Sequence, residues 1–350
     1  MNSTNPPVSA PERLTPKAIV RHLDQDVIAQ DEAKKTLAVA IYSHQRKLAN
    51  AAAKGTALSK SNILLIGPSG SGKTLMCETL ARFLDLPFVT ADATALAQTR
   101  YVNDEIEAIL QRLLDHADGD LAAAQRGIVF IDEIDKLRTT DGQSRGASGE
   151  SVQHALLRIM EGSLVRLRGG DAEGQARYID TTGILFICGG AFIGLDDIMA
   201  RNQSYGFIST SGSDDKTILD RLNARVKPTD LVLFGLIPEF TGRLPVVARF
   251  QELDRAALVR IMTEPRNSLY LQCCEVFANE GVELVIEPRV FEEIAELALE
   301  YKTGARSLRG IFEELITPIL YVVPDQPEIR KVVISSLFAG PAVTRSSADR

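Results

Sequence analysis

Short apolar runs alternate with stretches of helical spacing through the first two thirds of the chain. "PFVTAD" (87–92) is a strand candidate, and "NILLI" (62–66), "GIVFID" (127–132) and "GILFICGG" (183–190) are apolar over most of their length. That is the pattern of strands buried on both faces of a parallel sheet. Between them, "NDEIEAILQRLLDHA" (103–117) places Ile106, Ile109, Leu110, Leu113 and Leu114 on one helical face, and "SVQHALLRIME" (151–161) reads as a second helix. Ahead of the first strand, residues 15–50 read as a short helix, a turn around Gln25 and Asp26, and a long helix from about Asp31. Strands alternating with helices predict an α/β fold with a parallel sheet.

The character changes near residue 250. "LDRAALVRIMTEP" reads as a helix with Asp254 as N-cap, and "RNSLYLQCCEVFANEG" as another, closed by Gly281. "PRVFEEIAELALEY" and "GARSLRGIFEELITPIL" are two more helices, with "VELVI" and "KVVIS" as short strands. We place a boundary near 245–252. Residues 13–248 then form a large α/β domain and 249–338 a smaller, mainly helical one. The polar segments 1–12 and 339–350 are expected to be disordered tails.

Composition narrows the function classes. The 350 residues carry 39 basic and 46 acidic side chains, a net charge of −7, which argues against a general nucleic-acid binder. The cysteines, Cys77, Cys188, Cys273 and Cys274, form no C-x-x-C pair, so neither a zinc site nor a disulfide framework is expected. Cys273 and Cys274 read as a half-buried reduced pair on a helix. The first residues lack the apolar core of a secretory leader. No apolar run reaches the roughly 18 residues of a membrane helix. The expectation is a cytoplasmic protein without membrane or nucleic-acid partners.

Gly67-Pro68-Ser69-Gly70-Ser71-Gly72-Lys73-Thr74, running on into Leu75, lies between the 62–66 strand and a helix and matches G-x-x-x-x-G-K-[ST]. Glycines there let successive backbone N–H groups point into one concavity, and the helix adds its positive end. Lys73 would reach the β- and γ-phosphates and Thr74 would ligate Mg²⁺. "GIVFIDEID" supplies the partner strand. Asp132 emerges at its C-terminal end, placed to hold the Mg²⁺ shell, and Glu133 is placed to polarise an attacking water. The predicted reaction is ATP or GTP hydrolysis.

Five stretches taken together, "SNILLIGPSGSGKTL", "AQRGIVFIDEIDK", "ILFICGGAF", "FGLIPEFTGRLPVV" and "KTGARSLRGI", resemble the ClpX family of AAA+ protein unfoldases over about residues 13–335. The resemblance implies ATP and Mg²⁺ as ligands, and further roles at matching positions. Val27 and Ile28, in "DVIAQDEAKKTL", would pack on adenine. Arg243, in "PEFTGRLP", matches an arginine finger that reaches the neighbouring subunit's nucleotide. Arg306, in "TGARSLR", matches a second sensor on the small domain. Tyr101 and Val102, in "RYVNDE", match the pair that grips substrate in the first pore loop, although Arg100 and Asn103 stand where the family has glycine. The loop 138–150 lies where a second pore loop would be. Tyr205-Gly206-Phe207 stands where the family docks a ClpP-type peptidase through an Ile-Gly-Phe-like tripeptide.

The resemblance therefore implies a homo-hexameric ring that threads protein substrates, with delivery to a ClpP-type peptidase. It does not extend to the family's four-cysteine zinc domain or to its basic stretch at the pore entrance. Other readings stay open at this point: a remodeller working without a peptidase, a nucleotide-dependent scaffold with little turnover, a DNA-directed AAA+ motor, and an HslU-like ATPase. The roughly 50 residues between the phosphate loop and the acidic strand speak against HslU, which carries a long insertion there.

Overall fold

The computed structural model describes residues 14–55, 60–99, 101–138, 149–170, 176–203 and 225–345. Its strands are β1 (Ile63–Ile66), β2 (Phe88–Asp92), β3 (Ile128–Asp132), β4 (Leu164–Gly170), β5 (Ala176–Asp180), β6 (Leu185–Gly190), β7 (Val246–Arg249), β8 (Glu283–Ile286), β9 (Ile329–Ile334) and β10 (Ala342–Arg345). Five of them form one sheet in the order β2-β3-β6-β1-β7, and every pairing in it is parallel. All the residues of β1 and β6 are buried, as their continuous apolar sequences predict.

The two-residue period of a strand divides its side chains between two layers. Leu64, Ile66, Val129, Ile131, Phe186 and Cys188 face helices Val102–Asp115 and Gly149–Glu161. Ile63, Leu65, Ile128, Phe130, Leu185 and Ile187 face helices Pro16–Leu23, Asp31–Lys54 and Lys73–Phe83. The sheet is thus covered on both faces. Its C-terminal edge, where each strand runs out into a loop, is left for a ligand.

A separate apolar cluster, from Leu253 to Ile334, packs helices Arg255–Thr263, Leu269–Asn279, Pro288–Glu300 and Arg306–Leu320 together. Asp254 caps the first of these by accepting from Ala257 N at 2.7 Å. A small sheet in the order β10-β9-β8 lies against them.

Three features depart from the sequence reading. Residues 342–345, assigned to a disordered tail, pair antiparallel with β9 as an exposed edge strand. Residues 164–170 and 176–180 pair antiparallel as β4 and β5. Four residues after Pro245 form β7, a sheet-edge strand beside β1 too short to show a period of its own. Cys273 and Cys274 are half-buried free thiols on helix Leu269–Asn279. Among the described residues no helix is long and apolar enough to cross a membrane.

Candidate nucleotide site

Chain direction places the loop 67–72 between the C-terminal end of β1 and helix Lys73–Phe83. Gly67 N donates to Gly190 O at 3.1 Å, which ties the loop to the end of β6. The Lys73 ammonium folds back into the loop and donates to Gly67 O at 2.7 Å and Pro68 O at 2.9 Å. It is buried, and burial pushes its pKa down. Asp132 opposes that shift and Arg306 adds to it. A buried ammonium whose partners are the loop's own carbonyls is placed to exchange them for phosphate oxygens. Ser71 Oγ, also buried, has no hydrogen-bond partner among the described residues.

Asp132 ends β3 and Glu133 follows it in a left-handed turn, φ 58°. Glu133 N donates to Asp132 Oδ1 at 2.8 Å. The other carboxylate oxygen faces Thr74, whose Oγ1 lies 3.4 Å from Asp132 Oδ2. Thr74, Asp132, Glu133 and Arg306 line one cavity of about 480 Å³. Two glycines allow Arg306 to reach it. Gly70, φ +73°, lies so close to Thr303 that a Cβ would collide with the Thr303 carbonyl oxygen, and Gly304, φ +60°, would place a Cβ 2.9 Å from Ser69 O. Ala305 N also donates to Gly70 O at 3.3 Å. The turn 303–305 is therefore seated on the phosphate loop, and helix Arg306–Leu320 starts there. Alanine at a left-handed position costs about 1–2 kcal/mol, or roughly tenfold in affinity. We expect Gly304→Ala to weaken ATP binding by that factor in calorimetry. Unchanged affinity would mean that the seated turn does not contribute to binding.

Val27 and Ile28 are buried. Val27 belongs to the core beneath the sheet. The residue that organises this segment is Gln30, which sequence reasoning did not single out. Its backbone is left-handed, φ 63°, and its side chain is buried. Gln30 Nε2 donates to Ser71 O at 3.3 Å and Gln251 O at 2.9 Å, and Gln30 Oε1 accepts from Gln251 N at 2.8 Å. One amide thus joins the N-terminal segment, the phosphate loop and the strand exit at residue 251. Asp135 was also missed. It is buried and its carboxylate accepts from Ala191 N and Phe192 N, each at 3.3 Å, fixing the turn after β6. Arg112 lines the cavity too, on the helix whose N-cap is Tyr101.

The remaining candidates lie elsewhere. Arg243 is the C-cap of helix Pro238–Gly242 and pairs with Glu161 at 2.6 Å, outside the cavity that holds Arg306. Tyr101 is 69% exposed, while Val102, the first helical residue, packs partly on the core. The pair is thus divided between solvent and interior. Tyr205, Gly206, Phe207, Arg100 and residues 139–148 of the proposed second pore loop lie outside the described residues.

Residues 58–247 match the family described as "AAA domain (Cdc48 subfamily)" and residues 253–333 the one described as "C-terminal, D2-small domain, of ClpB protein". The chain is 45% identical over 339 residues to a protein of Azotobacter vinelandii named "ATP-dependent Clp protease ATP-binding subunit ClpX", with 92% of this chain and 77% of that one covered. A protein of the same name from Borrelia duttonii (strain Ly) is 42% identical over 331 residues, again with 92% and 77% covered.

Proposed function

The chain belongs to the ClpX family of AAA+ ATPases, and from that membership we propose that it is the subunit of a ring that spends ATP on pulling proteins apart. It binds and hydrolyses ATP. The observation that carries the mechanical reading is the seating of the turn 303–305 on the phosphate loop, with Arg306 in the same cavity as Thr74, Asp132 and Glu133. A nucleotide held there touches both halves of the chain. Its hydrolysis would change the angle between them, which is a hinge mechanism. We divide the halves at 248/249, a division supported by the gap between the two family matches, with Phe250 still packing beneath the large sheet and the second apolar cluster starting at Leu253.

We assign the residues as follows. Backbone N–H groups of residues 67–72 and the Lys73 ammonium bind the phosphates, Val27 and Ile28 flank the base, and Glu133 takes the proton of the attacking water. Arg306 contacts the phosphates of its own subunit and Arg243 those of the next. Thr74 Oγ1 and Asp132 Oδ2 face each other at 3.4 Å. Among the described residues no group of three or more His, Cys, Asp or Glu is arranged to hold a metal ion by itself. A hydroxyl and one carboxylate are the hard oxygen donors that Mg²⁺ accepts when phosphates and water complete its shell. The ion, when bound, would neutralise charge developing on the phosphates.

An arginine acting between subunits requires a head-to-tail interface, which closes into a ring where the rotation allows. We propose a homo-hexamer with Tyr101, exposed at the head of its helix, gripping the threaded chain. Tyr101→Ala should then hydrolyse ATP within about twofold of the wild type and lose unfolding of a folded fluorescent substrate. Normal unfolding by that variant would remove Tyr101 from the pore. The relatives' printed name joins them to Clp protease, and we extend that partnership to this chain through Tyr205-Gly206-Phe207. The test is ATP-dependent degradation of an unstructured labelled protein with a ClpP-type peptidase. Hydrolysis without degradation would favour a peptidase-free remodeller, a reading to which the tyrosine hydroxyl in place of an aliphatic tip lends support.

A further inference from the structure

We propose that Gln153 and Asn62 are positioning residues that hold Arg243 for the neighbouring subunit, an inference that rests on reading Arg243 as the finger. Helix Pro238–Gly242, which ends at Arg243, is only five residues long and cannot fix its own orientation. It is secured at both ends to helix Gly149–Glu161.

At the near end, Ile237 N donates to Gln153 Oε1 at 2.8 Å, and Gln153 Nε2 donates to Leu137 O at 2.9 Å. Gln153 has no exposed surface, and both ends of its amide are used. Leu137 closes the short turn that follows Glu133. One buried side chain thus links the segment carrying the acid pair to the start of the finger helix.

At the far end, Asn62 Nδ2 donates to Met160 O and to Arg243 O, both at 3.2 Å. Both partners are carbonyl oxygens, so the amide can face them only with its NH₂. Asn62 Oδ1 is left buried and without a partner among the described residues. Asn62 immediately precedes β1, whose other end opens into the phosphate loop. The Arg243 guanidinium is meanwhile paired with Glu161, the last residue of the same helix. Lys60 Nζ donates to Ile159 O at 3.2 Å, which steadies that helix end.

The finger helix therefore reports on its own subunit's β1 and β3 through two amide side chains. Neither amide touches the cavity at Thr74 and Arg306. Their effect on hydrolysis should accordingly appear at the next subunit's nucleotide. Misplacement of a reacting group by an ångström can cost about a hundredfold.

Asn62→Ala and Gln153→Leu, each in the full chain, are expected to lower kcat by about ten- to a hundredfold, with ATP affinity within about twofold of the wild type. The deciding measurement mixes each variant with an excess of Glu133→Gln subunits, which have an intact finger but do not hydrolyse. Turnover per Asn62→Ala or Gln153→Leu subunit should recover to that of wild-type chains diluted in the same way. An excess of the double variant Glu133→Gln, Arg243→Ala should give no recovery. Low turnover with both diluents would place the defect within the variant's own site and overturn the proposal. Wild-type chains that keep full turnover in the double variant would overturn it differently, by removing Arg243 from the neighbour's reaction.

Discussion

Arg243→Ala is expected to bind ATP as the parent chain does and to hydrolyse it ~10³–10⁵-fold more slowly, the range that an arginine acting on a transferring phosphoryl group supplies. The separation of effects follows from where the residue sits. Arg243 caps helix Pro238–Gly242 and its guanidinium meets Glu161 at 2.6 Å. The groups we propose to bind the subunit's own phosphates are Lys73, Thr74 and Arg306, which stand apart from it. Losing Arg243 removes none of them. The ion pair does not hold the finger back strongly, because 53% of the Arg243 side chain and 41% of the Glu161 side chain are exposed. Exposed pairs of this kind contribute about 0–1 kcal/mol. Exchanging Glu161 for a developing γ-phosphoryl charge is therefore favourable once a neighbour presents one. ATP affinity by calorimetry and steady-state turnover decide the matter together. Near-normal turnover would end the finger assignment. Lost affinity with lost turnover would instead give the Arg243 side chain a role in the fold, through its pairing with Glu161.

What the sequence disclosed was local. In the central sheet β1, β3 and β6 are apolar runs and β2 is a short strand beside a turn, so these four could be read directly. The phosphate loop and the acid pair were equally legible, because each is contiguous and follows a strand that sets its direction. Arg243 and Arg306 were not legible as chemistry. A lone arginine is ordinarily a surface charge, and only resemblance gave these two a role. The groups that bind the pieces together stayed hidden for a physical reason. Gln30 joins residues 71 and 251, Gln153 joins 137 and 237, and Asn62 joins 160 and 243. A buried amide is satisfied by backbone groups brought close by folding, and no local spacing announces them. The same holds for β10, an exposed four-residue edge held by β9 rather than by a face of its own.

Glu133→Gln isolates the chemical step more cleanly. Glu133 occupies a left-handed backbone position, φ 58°, just after Asp132. Glutamine carries the same Cβ and nearly the same shape, so whatever strain the turn holds is kept and only the carboxylate is lost. A general base contributes about 10²–10⁴ to rate, so turnover should fall by that factor. The binding groups remain, since Glu133 meets Asp132 through its backbone N–H, at 2.8 Å, and not through its side chain. ATP should then persist on the protein. Because a ligand stabilises whichever state binds it, and the ring reading has Arg243 contact that ligand from the next subunit, Glu133→Gln with ATP should elute as a larger assembly than the same chain without it. Quench-flow analysis of bound nucleotide together with light scattering would register both effects. Fast turnover would transfer the role of base to another group. Slow turnover without ATP-dependent assembly would keep Glu133 as the base and count against a nucleotide shared between subunits.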